Sequence, residues 1–279
     1  MCRIVGYVGQ AIALDRLLYK PEHSLVRQSY APQEMTAGIL NADGFGVGWY
    51  GCGDGVQFAP VSGAPGSAAQ PASATTPFVY RSIVPIWNDA NLPDLSRYVT
   101  SEVVLASVRS ATPGLPVDLS NCPPFRHEGT LMVHNGAIQD FRQTLLTPLR
   151  DRLSPEFARL ITGCTDSEHL FALILDLWRN TGSLEEALAE AISTLLFLAD
   201  EHRVEVSANV ILSSGHRLVA CRAGNKSPQP SLYWLQDDSE GSDGVAIASE
   251  PLWSGKWQPF PEQTLLTVEN DLSVKLQSL

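Results

Sequence analysis

The stretch TDSEHLFALILDLWRNTGSLEEALAEAISTLLFLADEH, residues 165–202, predicts two consecutive helices in the middle of the chain. Each helix opens with a hydroxyl residue followed three positions later by a glutamate, Thr165 with Glu168 and Ser183 with Glu186, which is the capping-box pattern. Apolar residues then recur at helical spacing in the first stretch. The second stretch is apolar around much of its circumference, so we expect it to be largely buried.

Strand patterns flank this helical pair on both sides. Segments rich in β-branched and aromatic residues come before it at 3–9, 45–50, 102–110 and 130–136, and after it at 208–214, 216–223, 244–249 and 264–269. Strands, then two adjacent buried helices, then strands again favour an α+β fold in which helices pack against stacked antiparallel sheets. The pattern argues against a β-α-β-α alternation.

No internal repeat and no convincing break divides the chain. We therefore expect a single domain over residues 1–279. The tract VSGAPGSAAQPASATTP at 61–77 is small, polar and proline-bearing, and strand patterns resume soon after it. This composition predicts a flexible Ala/Pro/Ser-rich surface loop and not a domain linker.

Composition limits the class of protein. Hydrophobic residues make up 44% and charged residues 18% of the 279 positions, which is typical of a globular protein. The formal net charge is −11 and no basic cluster occurs, which argues against nucleic acid or an anionic membrane as the partner. No apolar run approaches the roughly 20 residues that a membrane helix needs, and no secretory signal is visible. We expect a cytoplasmic protein.

The cysteines and histidines give no support for a metal or a disulfide framework. The 5 cysteines are scattered and form no C-x-x-C pair, and the 6 histidines form neither H-x-x-H nor H-E-x-x-H. The serine nucleophile motif G-x-S-x-G is also absent. We therefore expect no bound metal and no cofactor.

Cys2 is the first candidate catalytic residue. The chain opens MCRIVGYVGQ, so removal of Met1 would leave Cys2 with a free α-amine beside its own thiol. Reference pKa values are roughly 7.7–8.0 for such an amine and roughly 8.5 for a thiol. One residue would then supply both nucleophile and base, without a histidine. The alternative is that a thiol stands at this position by chance.

Three further motifs offer groups that such a nucleophile needs. HNGA at 134–137 places Asn135 and Gly136 at the end of a predicted strand, where an amide and an unhindered backbone N–H could stabilise an oxyanion. Arg109 ends another strand and suits a carboxylate, and Asp166 lies in the first turn of a helix, where it could face an ammonium. Each also has an ordinary explanation: an Asn-Gly turn, a surface arginine, and an acid favoured by the helix dipole.

Together these motifs resemble a known family. The Met-Cys start is followed in order by NADGFGVGW (41–49), RSAT (109–112), NCPPF (121–125), HNG (134–136) and TDSE (165–168). This order is similar, over nearly the whole chain, to the class II glutamine amidotransferases of the N-terminal-nucleophile hydrolase superfamily. QSYAP, LASVRSAT and IASEPLW resemble a stand-alone branch that includes the γ-glutamyl hydrolase of ergothioneine biosynthesis and a yeast relative that cleaves glutathione.

The resemblance implies a four-layer αββα sandwich, in agreement with the order of strands and helices. It implies that Cys2 is the nucleophile with its α-amine as base, and that Asn135 and Gly136 form the oxyanion hole. It also implies that Arg109 holds the α-carboxylate of a γ-glutamyl group and that Asp166 holds its α-ammonium. A zwitterionic head group needs such a cation and anion in addition to the nucleophile.

Three other residues are expected at the site. Thr112 and His134 fall beside the family motifs and are expected to line the pocket. Trp87 stands near Asp89 in PIWNDANLPD (85–94), which also resembles the ergothioneine branch. An aromatic face next to a carboxylate suits a trimethylammonium group, so we expect Trp87 to border the leaving-group side. The alternative is that Trp87 is a core residue.

The expected reaction is hydrolysis of γ-glutamyl-hercynylcysteine sulfoxide to glutamate and hercynylcysteine sulfoxide. Glutathione-type γ-glutamyl peptides, and a glutaminase that supplies ammonia to a partner subunit, stay open as alternatives. No synthase domain follows in this sequence, which favours simple hydrolysis. A non-catalytic domain that binds a γ-glutamyl metabolite is an alternative of another class. The partner is expected to be a small molecule, and self-association into a homo-oligomer stays open.

Overall fold

The structure, a computed structural model, describes residues 1–35, 38, 40–51, 76–112, 114–237 and 243–279. The loop predicted at 61–77 lies outside these residues, apart from its last two positions.

The first sheet carries the start of the chain at its centre. Its strands are β1 (Arg3–Ala13), β2 (Phe45–Trp49), β3 (Phe78–Ser82), β4 (Thr100–Val108), β9 (Tyr233–Asp237), β10 (Gly244–Ala248) and β11 (Gln258–Pro259). Within the described residues these seven strands are ordered β11-β9-β10-β1-β4-β2-β3, and neighbouring strands pair antiparallel. Strand β1 is therefore held on both edges, by β4 and by β10.

The second sheet lies against the first. Its strands are β5 (Phe125–His127), β6 (Thr130–Ile138), β7 (Val206–Ser213), β8 (Leu218–Gly224), β12 (Thr264–Val268) and β13 (Val274–Ser278). These six strands, counted over the described ranges, follow the order β13-β12-β8-β7-β6-β5 and are also antiparallel. Strand β5 reaches only as far along β6 as the Phe125–Met132 pair. The later part of β6 thus has an edge that β5 does not cover.

Helices cover the outer faces of both sheets. They are α1 (Asp15–Leu18), α2 (Leu25–Tyr30), α3 (Leu92–Tyr98), α4 (Leu146–Arg150), α5 (Pro155–Ala158), α6 (Asp166–Thr181) and α7 (Leu184–His202). Short 3-10 turns occur at Ile86–Asn88 and Leu119–Asn121.

Three apolar clusters separate four layers. The central cluster joins the facing sides of the two sheets, for example Ile4 and Leu105 with Leu131 and Ile211. A second cluster packs α1, α2 and α3 on the outer side of the first sheet. The third packs α4 to α7 on the outer side of the second sheet. The α+β fold and the four-layer αββα sandwich with antiparallel sheets are therefore confirmed.

The helical pair at 165–202 is confirmed together with its caps. Thr165 Oγ1 accepts the N–H of Glu168 at 3.2 Å, and Ser183 Oγ accepts the N–H of Glu186 at 3.2 Å. The reciprocal half of the first predicted capping box is wrong. The Glu168 carboxylate accepts instead from the backbone N–H groups of Thr162 and Gly163, at 2.8 and 2.7 Å. It therefore fixes the chain that leads into α6.

Candidate active site

Cys2 lies at the point where three strands of the first sheet meet. It immediately precedes β1, whose first residue, Arg3, pairs with Val108 at the end of β4. The Cys2 thiol is partly exposed and lies 3.9 Å from the main-chain oxygen of Ser110, just past that strand end. On the other edge, Ser249 follows the end of β10 and donates its N–H to Ile4 O at 3.0 Å. This pairing fixes the main chain next to the thiol.

Asn135 reaches this point from the second sheet. Its side chain is fully buried, and its Nδ2 lies 3.5 Å from Ser249 Oγ. The same hydroxyl oxygen accepts the N–H of Ile4 at 3.0 Å. Asn135 is thus connected through one serine to the strand that bears Cys2. An amide Nδ2 carries two hydrogens, so one of them is left for a ligand.

The backbone N–H of Gly136 faces the uncovered edge of β6. In an antiparallel strand, alternate N–H groups point to opposite edges. Gln139 N donates across to Glu205 O beyond the start of β7, at 2.9 Å. Ile138 N, one residue earlier, donates to the Asp166 carboxylate at 2.9 Å on the opposite edge. Gly136 N shares the direction of Ile138 N, so the strand ladder with β7 does not use it.

Position 136 has no room for a side chain, so it requires glycine. A Cβ there would overlap the carbonyl oxygen of Ser207 and Nε2 of His134. His134 is itself buried, with Nδ1 2.8 Å from Ser167 Oγ in the first turn of α6. Burial lowers the pKa of His134, and the nearby Asp166 carboxylate offsets this only in part. The structure therefore places His134 beneath Gly136 as a neutral ring.

Arg109 provides a buried cation near the thiol. Its Nη1 donates to Asp43 O at 3.3 Å and its Nη2 to Pro116 O at 3.5 Å. Its main chain exchanges hydrogen bonds with Gly44 and Asp43, at 2.8 and 3.0 Å. In the part of the chain that the structure describes, no carboxylate pairs with this guanidinium. A buried guanidinium bonded only to carbonyl oxygens is well suited to a bound carboxylate.

Asp166 begins α6 and joins it to β6. One carboxylate oxygen accepts from Ile138 N, and the other accepts from Ser167 N at 2.8 Å and from Ser167 Oγ at 3.3 Å. Asp166 therefore accepts hydrogen bonds at the start of the helix, as acidic residues in a first helical turn commonly do. The residue that receives this anchor, Ile138, is two positions from Gly136. An anionic group thus lies on the uncovered edge of β6, where the N–H of Gly136 also points.

Thr112 and Trp87 lie in more exposed positions. Thr112 is exposed, in a turn where its carbonyl accepts from Leu115 N at 3.0 Å. Trp87 is 38% exposed and meets the Tyr30 ring edge-on at 5.8 Å between centroids. The alternative of Trp87 as a core residue does not fit this exposure. Asp89, predicted near it, accepts from Tyr80 Oη at 2.9 Å and caps α3 through Leu92 N at 2.9 Å.

The surroundings of the N-terminus change the pKa of an amine placed there, as the α-amine of Met1 shows. Burial lowers its pKa, the negative charge of an ionised Cys2 would raise it, and the Arg3 cation lowers it further, with a net decrease. An amine buried here is therefore neutral at a lower pH than an amine in water. That is the protonation state in which an amine accepts a proton.

Glu250 is a buried carboxylate near Cys2 to which the sequence motifs assigned no function. Its carboxylate lies 3.3 Å from Arg3 Nε and 2.5 Å from His23 Nε2, and accepts from the N–H groups of Gln33 and Glu34 at 2.8 and 3.1 Å. Burial acts to raise the pKa of Glu250, but these bonds outweigh it and the pKa is lowered. The carboxylate thereby holds the segment after α2 against the start of β1. An acid directly after an apolar strand, in ASEPL, is the sequence signal for it.

Other classes of site are not found in the described residues. Over those ranges no group of three or more His, Cys, Asp and Glu side chains is placed to hold a metal ion. Among the described helices, none has both the length and the apolar character of a membrane span.

Comparison with known proteins identifies the family of this chain. A family model described as class-II glutamine amidotransferases matches residues 89–279. The γ-glutamyl-hercynylcysteine sulfoxide hydrolase of Mycolicibacterium smegmatis is 30% identical over 97% of this chain and 96% of its own. The hydrolase of the same name from Mycobacterium tuberculosis is 29% identical over 96% and 93%. A probable glutamine amidotransferase of Saccharomyces cerevisiae, DUG3, is 28% identical over 96% and 82%.

Solved structures are similar over the whole chain. A glutamine aminotransferase class-II domain protein of Silicibacter pomeroyi has a TM-score of 0.68 at 24% identity, covering 100% of this chain and 99% of its own. The glutamine phosphoribosylpyrophosphate amidotransferase of B. subtilis has a TM-score of 0.64 at 15% identity, and the match covers 49% of that enzyme. The sandwich is thus of the N-terminal-nucleophile hydrolase type. The chain is an amidohydrolase and belongs to the class II glutamine amidotransferases.

Proposed function

We propose that the protein hydrolyses a γ-glutamyl amide bond, with Cys2 as nucleophile once Met1 has been removed. The observation that carries this is the meeting of the two sheets at Cys2. The thiol lies at the start of β1, and Ser249 connects the same strand to Asn135 of the facing sheet. The N–H of Gly136, next in the chain, is free of the ladder with β7. These connections support the proposal that a nucleophile and two oxyanion donors act at one location.

The proposed reaction proceeds in two halves. The Cys2 thiol gives its proton to the α-amine, and the thiolate attacks the γ-carbonyl carbon. Asn135 Nδ2 and Gly136 N–H stabilise the tetrahedral oxyanion. The carbon–nitrogen bond then breaks as the ammonium of Cys2 returns the proton to the leaving nitrogen. Water, deprotonated by the same amine, hydrolyses the resulting thioester to glutamate and regenerates the thiol.

The γ-glutamyl head group supplies one negative and one positive charge. In this proposal its α-carboxylate binds the Arg109 guanidinium, which is buried and bonded to carbonyl oxygens of Asp43 and Pro116. Its α-ammonium binds the Asp166 carboxylate. Each carboxylate oxygen has two lone pairs, so Asp166 can accept from the ligand while it holds Ile138 N. His134 and Thr112 would border this head group, His134 from below Gly136 and Thr112 from the exposed turn.

γ-Glutamyl-hercynylcysteine sulfoxide is the proposed substrate, because relatives of that activity match this chain over nearly its full length. The alternative is a glutathione-type γ-glutamyl peptide or glutamine, with ammonia passed to a partner. It draws support from the yeast relative named as a probable glutamine amidotransferase. Trp87, exposed beside Tyr30, is proposed to contact the trimethylammonium of the leaving group. A single domain is proposed as well, because one central core joins both sheets. The scattered cysteines, with no C-x-x-C pair, support a location in the reducing cytoplasm.

The test is glutamate release by protein with Cys2 at its N-terminus. Glutamine, glutathione, γ-glutamylcysteine and the hercynylcysteine sulfoxide conjugate are compared. The conjugate should exceed each other substrate at least tenfold in kcat/KM, which is about 1.4 kcal/mol, and Cys2→Ala should abolish release from all four. Trp87→Ala should reduce the margin of the conjugate, whereas Phe197→Ala, which removes an exposed aromatic of α7, should not. Equal cleavage of glutathione or glutamine would reject the substrate and leave the amidohydrolase intact.

A further inference from the structure

A cavity of about 310 Å³ opens beside the N-terminus, and its walls include Met1, Ala137, Ser207 and Lys226. Met1 is attached to the nitrogen of Cys2, so it occupies the space next to that nitrogen. In the proposed reaction the same nitrogen, once free, returns a proton to the leaving group. The leaving amine must therefore lie where Met1 now lies. Removal of Met1 joins this space to the cavity.

The cavity borders the strand that carries the proposed oxyanion donors, because Ala137 of β6 lines it. Ala137 directly follows Gly136, and its N–H donates to Ser207 Oγ at 3.3 Å. The carbonyl of Ser207 is one of the groups that leave no room for a Cβ at Gly136. A ligand whose reacting carbonyl lies at Gly136 would thus reach the cavity without crossing another layer.

The loop at 225–229, which follows β8, forms another wall of the cavity, and hydrogen bonds fix its main chain. Asn225 Oδ1 accepts from Val206 N at 2.7 Å, and Asn225 Nδ2 donates to Val204 O at 2.9 Å. Lys226 N donates to Val206 O at 3.2 Å, and Lys226 O accepts from the buried Gln229 side chain at 2.6 Å. Main-chain bonds on both sides of position 226 hold its backbone in place. The loop therefore presents the Lys226 side chain from a fixed position.

The cavity rim carries hydrogen-bond donors suited to an anion. Lys226 Nζ lies 3.3 Å from one Glu205 carboxylate oxygen, and an ammonium has two further hydrogens to donate. Gln139 also lines the cavity, and its Oε1 accepts from Glu205 N at 3.3 Å. This bond directs the acceptor end of the Gln139 amide to the main chain and leaves its Nε2 as a donor.

We propose that this cavity, with Lys226 and Gln139, is a leaving-group subsite for an amine that itself carries a carboxylate, an amino acid or short peptide. The inference rests on the proposed γ-glutamyl hydrolysis and deepens it. Lys226 pairs with the carboxylate of the leaving group. Ammonia, the leaving group of glutamine, uses none of these contacts. The subsite thereby selects γ-glutamyl amino acids and peptides over glutamine.

The experiment compares γ-glutamylalanine with γ-glutamylalaninamide, which differ only in the leaving group's carboxylate. Wild-type protein should favour the acid at least tenfold in kcat/KM. Lys226→Gln should remove most of this preference through a higher KM for the acid, and Lys226→Arg should restore part of it. Hydrolysis of the amide and of glutamine should stay unchanged in Lys226→Gln. Lys256→Gln, an exposed lysine that does not line this cavity, is the matched control.

The outcomes separate the subsite from the reaction. Equal cleavage of acid and amide by the wild type, or an unchanged preference in Lys226→Gln, would overturn the subsite while γ-glutamyl hydrolysis stands. Failure to release glutamate from any of the three compounds would overturn the proposed reaction, and the subsite with it. A loss of activity on glutamine in Lys226→Gln would identify a structural effect and also count against the proposal.

Discussion

The side-chain amide of Asn135 and the hydroxyl of Ser249 lie 3.5 Å apart, and the same hydroxyl accepts the N–H of Ile4 at 3.0 Å. One serine therefore fixes the proposed oxyanion donor relative to the strand that follows the proposed nucleophile. The two donor atoms it meets belong to different sheets. Ser249 is then a positioning residue, since it acts on the reaction through Asn135.

Ser249→Ala should reduce kcat about tenfold with little change in KM. The amide of Asn135 would lose its fixed orientation, and an oxyanion donor acts on the transition state more than on bound substrate. Steady-state kinetics on the favoured γ-glutamyl substrate provide the measurement. Ser231→Ala is the matched control, because Ser231 Oγ donates to the main-chain oxygen of Ser249 at 2.9 Å and not to Asn135. A change confined to KM would show that Ser249 does not position the donor.

Arg109→Lys should lower kcat/KM. The expected loss of transition-state binding free energy is about 2–4 kcal/mol. Lysine keeps the charge but lacks the planar fork that binds a carboxylate with two hydrogen bonds. The loss should be much smaller for 4-aminobutanamide, which is glutamine without its α-carboxylate. Comparison of kcat/KM for the two amides in both proteins measures this difference. If wild-type protein cleaved them equally well, the assignment of Arg109 would be wrong.

Asp166→Asn should lower kcat/KM by a similar factor, because the α-ammonium of the substrate would lose its carboxylate partner. The matched substrate is the monoamide of glutaric acid, which is glutamine without its α-amino group. The variant should lose less kcat/KM on this compound than on glutamine. The asparagine keeps one acceptor, which can still bind Ile138 N, but it loses the acceptor for Ser167 N. Unfolding in urea therefore checks that the variant is folded under the assay conditions. An equal loss of activity on both substrates would assign Asp166 a purely structural role.

The stability of the fold should decrease as the pH falls below about 6.5, the reference pKa of histidine. Burial lowers the pKa of His134 in the folded protein, so the unfolded chain binds a proton first and is favoured by acid. His169, also lowered by burial, contributes in the same direction. His134→Gln should lose less unfolding free energy between pH 7 and pH 5 than wild type. The exposed His216→Gln is the control. Urea unfolding with an unchanged pH slope in His134→Gln would contradict this.

The sequence was sufficient for the fold because the patterns that define it are local. Helical periodicity and hydroxyl caps at 165 and 183 predicted α6 and α7. Short segments rich in β-branched and aromatic residues predicted the strands around them. Two adjacent helices between two groups of strands favour helices packed against stacked antiparallel sheets, and the resemblance to the family implied the four layers. The helices α1, α2 and α3 that cover the first sheet were not predicted from the sequence pattern.

The site was predictable only as a set of residue types. Cys2, Asn135, Gly136, Arg109 and Asp166 were named from their motifs. The Asn135–Ser249 contact joins residues 114 positions apart and depends on how the two sheets are stacked. Periodicity within one strand carries no information about that stacking. For the same reason the exposure of Trp87 and the buried Arg3–Glu250 pair could not be read from spacing.

The measurement that tests the central claim most directly is the site of reaction with a diazoketone analogue of glutamine. Two preparations are compared by intact mass and peptide mapping, one beginning at Cys2 and one that keeps an uncleavable residue before it. The account predicts a single adduct on the Cys2 thiol of the first preparation, and none on the second, whose Cys2 nitrogen is a non-basic amide. Equal labelling of both preparations, or an adduct on the partly exposed Cys164 instead, would contradict it.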